Sequence, residues 1–157
     1  MNLNEKLLKN NIKNKDIMTI TLDSDFTISQ ANTQFQVTGF SVASSYGNKL
    51  TFSSNKIVIG SGVKKVLVSY NAKHLNGTDV TRSFSYLKHN TDNISQEAAF
   101  FAGTNNQITV GIAPQLVDVQ AGDTFWIAVY GAKNNKIGGV SGWKTTALTV
   151  EVVEYED

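Results

Sequence analysis

The stretch VQAGDTFWIAVYG, residues 119–131, decides how this chain is read. Successive side chains of a β-strand point to opposite faces of the sheet, so a strand with one wet side alternates apolar and polar residues. Here Phe125, Ile127 and Val129 fall on one face while Trp126, Ala128 and Tyr130 fall on the other. Both faces ask for shelter from water, and a single core supplies it to only one. The second face needs a cover.

The flanking sequence has the same β texture. From residue 17 onward, short runs rich in Val, Ile, Thr, Phe and Tyr alternate with Gly, Asn, Asp and Ser, as in an all-β chain. The runs predict strands over 17–28, 34–43, 49–60, 64–73, 81–89, 96–102, 107–119, 123–131 and 145–155, a number suited to a two-sheet antiparallel sandwich. Some strands have one wet side: Val66, Val68 and Tyr70 share a face, and Leu148, Val150 and Val152 oppose Thr149 and Glu151. The segment EAAFFAG (97–103) sets Phe100 and Phe101 on opposite faces and so joins 123–131 in the two-sided class. Asn76-Gly77 predicts a hairpin turn. Pro114, which has no N–H to donate, predicts a sheet edge or bulge. Gly122-Asp123 reads as a turn, with Gly at positive φ and Asp bonding its own backbone.

Composition narrows the partners. With 157 residues the chain suits one domain. Charged residues make up 17% and the net charge is +1, too weak a field to draw nucleic acid or an anionic membrane. The absence of cysteine excludes a disulfide framework, a thiolate zinc site and a cysteine nucleophile. The first residues lack the apolar core of about 7–15 residues that a signal peptide needs, and nowhere do about 18 apolar residues run together. Synthesis in a cytoplasm and no membrane insertion are expected.

Residues 1–16 form a separate unit ahead of the β domain at 17–157. Leu3, Leu7, Leu8 and Ile12 approach helical spacing, with lysines between them, so a short amphipathic helix is expected. It is either a free tail or an arm that fixes the domain to a larger body. It is also one of two candidate covers for the second face of 123–131, the other being further copies of the chain.

The order GNKLTFSSNKIVIGSGVKKVLVSYNA (47–72), then GDTFWI within 119–131, then a closing apolar strand resembles the tumour necrosis factor and complement globular-head superfamily of jelly rolls. Val119, Gly122, Asp123, Phe125, Trp126 and Ile127 carry the sharp part of the likeness, which extends from about residue 17 to the end. Residues 74–105 lack family landmarks, and the N-terminal segment is no collagen stalk. The resemblance implies a two-sheet jelly roll and a homotrimer with one sheet packed around a three-fold axis. On that reading Trp126, Tyr130 and Phe101 form the trimer interface, each worth about 1.5–3 kcal/mol when fully buried.

Catalytic signatures are sparse. His74 and His89 each neighbour a lysine and have no metal-ligand spacing, so both read as surface histidines. No nucleophile elbow, P-loop or dinucleotide fingerprint appears, and the acidic residues fall mostly at turns. No catalytic residue, metal or cofactor is assigned. The segment NNKIGGVSGWKTT (134–146) reads as a flexible loop built on Gly138, Gly139 and Gly142, holding Trp143 where it either pads the fold or stacks on a sugar. Trp143, Lys144 and Tyr46 are the candidate ligand-binding residues.

The expectation is therefore a non-enzymatic structural or adhesion protein. In the first reading it is a homotrimeric jelly roll of a bacteriophage virion, in a fibre, baseplate or head decoration, joined to other virion proteins by its N-terminal segment and binding a host-surface glycan or protein. In the second it is a bacterial carbohydrate-binding or surface trimer, in the cytoplasm or at the surface. A sugar-acting enzyme is a third.

Overall fold

The alternation in the sequence is carried into two antiparallel sheets. A computed structural model of the chain describes residues 15–76, 82–101, 107–139 and 146–156. The predicted helix up to residue 14 lies outside the described residues, as do Trp143 and Lys144. In chain order the described strands are β1 (Ile17–Leu22), β2 (Phe26–Thr27), β3 (Phe35–Gln36), β4 (Phe40–Tyr46), β5 (Leu50–Ser53), β6 (Lys56–Ile59), β7 (Val63–Leu75), β8 (Arg82–His89), β9 (Asp92–Phe100), β10 (Gln107–Gly111), β11 (Gln115–Asp118), β12 (Thr124–Tyr130), β13 (Lys136–Ile137) and β14 (Ala147–Tyr155).

One sheet has eight strands in the order β2-β13-β7-β14-β1-β4, with β10 and β11 also pairing with β7. The other has six, in the order β5-β6-β12-β8-β9, with β3 also pairing with β12. Between them lies one core. Ile20, Leu22, Val66, Val68, Leu148 and Val150 from the larger sheet meet Ile57, Leu87, Phe125, Ile127 and Val129 from the smaller, all buried. Deep alternation in β1, β7 and β14 follows from this, since every second residue is removed from water.

Three expectations are corrected by local chemistry. The span 49–60 is two strands, because Ser54 and Asn55 both take positive φ (52° and 62°) and fold β5 back on β6, with Ser53 opposite Lys56. β7 and β8 belong to different sheets, so Asn76-Gly77 does not join two paired hairpin strands, and Gly77 itself lies outside the described residues. Gly138 and Gly139 are buried and fixed: Gly138 N–H donates to Lys73 O at 2.7 Å, and a Cβ on Gly139 would lie 2.4 Å from the backbone of Ser24, while Gly142 lies outside the described residues. Glycine is required there by close approach. Pro114 behaves as expected, interrupting the pairing between β10 and β11, which follow each other along β7.

Candidate functional site

The sandwich offers two outward sheet faces, and they differ in chemistry. On the six-stranded sheet, β12 has the predicted two-sided character: Phe125, Ile127 and Val129 fill the core, while Trp126 and Tyr130 on the outward face are half-buried and Ala128 is fully buried. Neighbouring strands supply that shelter. Cross-strand register sets Lys88 opposite Trp126, Tyr86 opposite Ala128 and Phe84 opposite Tyr130, with Gln36 flanking Ala128 from the other side. The alternation Arg82, Phe84, Tyr86, Lys88 turns all four side chains of β8 outward.

Ring contacts bind this face together. The Phe84 ring centroid lies 6.1 Å from that of Tyr130 and 6.4 Å from that of Tyr86. Arg82 sits 5.3 Å from the Phe84 ring, and two ammonium groups, Lys56 at 5.0 Å and Lys88 at 5.5 Å, share the Trp126 indole. The indole N–H donates to Asn90 O at 2.8 Å and the Tyr130 hydroxyl to Asn32 Oδ1 at 2.9 Å, so both polar ends are satisfied.

The eight-stranded sheet turns out a surface of different make-up. Register aligns Leu116, Leu67, Glu151, Ile17 and Tyr46 across five strands in one row. The next row is Ser69, Thr149, Thr19 and Ser44, in which the Thr19 and Thr149 hydroxyls lie 3.0 Å apart. Leu116 is 60% exposed and Tyr46 67%. The charges here are paired: Glu151 with Lys15, and Lys65 with both Asp118 and Glu154.

Two carboxylates pin the edges. Asp16 Oδ1 accepts the Asn48 and Lys49 backbone N–H groups at 2.6 and 2.8 Å, and Oδ2 accepts the Tyr155 hydroxyl at 2.8 Å. Burial pushes the Asp16 pKa upward, but these hydrogen bonds outweigh it and hold the group below its ordinary value. Asp123 follows Gly122, which has φ 91°, and accepts the Gln120 N–H as the turn reading expects. It also bonds His89 at 2.9 Å and the Asn90 amide at 2.8 Å, so burial is again outweighed and its pKa is lowered.

His74 is not a surface group, and His89 is only partly exposed. His89 stacks on Phe125 with centroids 4.8 Å apart. His74 is 0% exposed and spans the two sheets, with Nδ1 2.8 Å from Ser83 Oγ and Nε2 3.2 Å from Ser85 Oγ. Tyr70 donates to Ser85 O at 3.1 Å in the same cluster. Burial pulls the His74 pKa down to about 4 and pushes that of Tyr70 up to about 12. Ser83 and Ser85 are also 0% exposed, so this hydroxyl–imidazole cluster is closed to solvent and forms a polar bridge between the two sheets. Its residue types gave no sign of this in sequence. Among the described residues no group of three or more His, Cys, Asp or Glu side chains could hold a metal.

The predicted site residues are thus dispersed. Trp126 and Tyr130 share the six-stranded face, whereas Tyr46 lies at the far edge of the other sheet. Phe101 is 3% exposed within one chain and needs no second copy to hide it, while Phe100 is 68% exposed. Sequence reading missed Lys56, Arg82, Phe84, Tyr86 and Lys88, although the alternation in RSFSYLK was an available signal for the last four.

No protein-family model matches the chain, and no curated protein matches it. Solved structures do. Murine APRIL at pH 8.5 superposes with a TM-score of 0.61 at 9% identity, covering 88% of this chain and 99% of APRIL. Eiger TNF from S. frugiperda gives 0.59 at 12% identity, covering 91% and 96%. These likenesses show the fold: a TNF-like, two-sheet antiparallel jelly roll.

Proposed function

We propose that the chain is a non-enzymatic binding or structural subunit that works as a homotrimer, in the setting of a bacteriophage fibre, baseplate or head decoration. The TNF-like jelly roll fits a non-enzymatic binding module. The observation that carries self-association is the outward face of the eight-stranded sheet. It is broad and rich in Ser and Thr, presents Leu67, Leu116 and Ile17, and keeps its charges paired. Hydroxyls can exchange water for hydrogen bonds across a seam, and fully burying a large apolar side chain contributes about 1.5–3 kcal/mol.

The seam is thereby assigned away from Trp126 and Tyr130. Copies meeting through the six-stranded face would bring Lys56, Arg82 and Lys88 of each chain together around the axis, and burying unpaired like charges is strongly unfavourable. A trimer also suits attachment, because three weak contacts on one rigid body raise avidity. The virion setting accords with the basic N-terminal arm and the cysteine-free composition.

Light scattering on the full chain tests the assembly: a mass three times that of the chain is expected, and a stable single copy refutes it. Neighbouring genes for tail or capsid proteins test the setting, and a purely metabolic neighbourhood counts against it.

A further inference from the structure

We propose that the outward face of the six-stranded sheet binds an acidic saccharide, its carboxylate drawn to Lys56 and Lys88, the lysines at Trp126. The inference concerns a different surface from the trimer seam and does not depend on it. Three observations carry it.

The first is charge. The strand residues that cross-strand register turns outward on this sheet include Lys56, Arg82 and Lys88 and no Asp or Glu. In a chain of net charge +1 this is a local excess of one sign. An anion is the complementary partner.

The second is Lys88. It is only 7% exposed, yet no carboxylate among the described residues pairs with it, and its recorded contact is the indole it shares with Lys56. Lysines are almost never buried unless paired. Two ammonium groups within 5.0 and 5.5 Å of one indole make this spot cationic, and a carboxylate held there gains charge-assisted hydrogen bonds.

The third is the surface beyond the cations. Phe84, Tyr86 and Tyr130 continue it as half-buried rings, and Gln36 and Gln96 end the row through Ala128 and Tyr86. Rings offer an apolar plane to the C–H face of a pyranose, and side-chain amides present both donor and acceptor to its hydroxyls. A nucleic acid would instead call for a run of cations tracking a phosphate at every residue.

The test uses the full chain with polygalacturonate, neutral dextran and an oligothymidylate as probes, measured by isothermal titration. Polygalacturonate is expected to bind, dextran not, and binding is expected to weaken as salt rises from about 50 mM to about 500 mM. The double variant Lys56→Gln/Lys88→Gln should lose about tenfold or more in affinity, with particle mass and melting temperature retained. If the double variant does not fold, the single variant Lys56→Gln serves, with a smaller loss in the same direction. Absent polygalacturonate binding, equal binding by the lysine variants, or tighter binding of the oligothymidylate overturns the proposal. Failure of the trimer reading shows separately, in the mass.

Discussion

The two outward faces of the sandwich are built on the same alternation and end in opposite chemistry. On the six-stranded sheet, β8 and β12 bring three aromatic rings into contact range, with cations lying over Phe84 and over Trp126. On the eight-stranded sheet, β1, β7 and β14 turn out small hydroxyl side chains with Leu67 and Ile17 among them, and the charges cancel in pairs. Exposed apolar area alone does not tell a self-association surface from a ligand surface. The sign and pairing of the charges around it bear on the choice, because groups close to a symmetry axis meet their own copies.

That contrast is most open to breakage at the centre of the paired face. Leu67→Asp should dissociate the proposed trimer, since a carboxylate buried without a partner costs about 3–5 kcal/mol; sedimentation showing an intact trimer would place the seam elsewhere. The next effect tests what holds the two sheets together. His74 is protonated in the unfolded chain below its ordinary value of 6.5 but stays neutral in the folded chain until about pH 4. Within that window the unfolded state binds more protons. Stability is therefore fully present above about pH 6.5, falls as the pH drops, and levels off below about 4, a loss of about 3 kcal/mol. Urea midpoints measured across this range should show the decline, and His74→Gln should flatten it. The smallest effect is expected at Trp126→Ala. Its ring is half-buried and its N–H already satisfied within the chain, so the trimer should persist with a stability loss of about 1–2 kcal/mol in thermal unfolding. Collapse of the trimer in this variant would return the seam to the six-stranded face.

Much of the fold was legible because strand periodicity is local. The two-sided character of 123–131, the turn at Gly122 and the interruption at Pro114 each depend on a few adjacent residues, and each is found. The hairpin inside 49–60 was missed because neither Ser54 nor Asn55 is glycine, although asparagine tolerates positive φ well. His74 was misread because nothing adjacent to it announces Ser83 and Ser85 on a strand of the opposite sheet.

The candidate site shows the same division. By itself the sequence determined an all-β chain with one strand apolar on both sides, since the alternation of neighbours along the backbone settles which residues share a face. Only the tertiary structure decided that this strand joins the six-stranded sheet, that Tyr86 and Phe84 shelter its outward side, and that Lys56 and Lys88 converge on Trp126. Those facts depend on which distant segments pair, and pairing is set by the packing of the whole core.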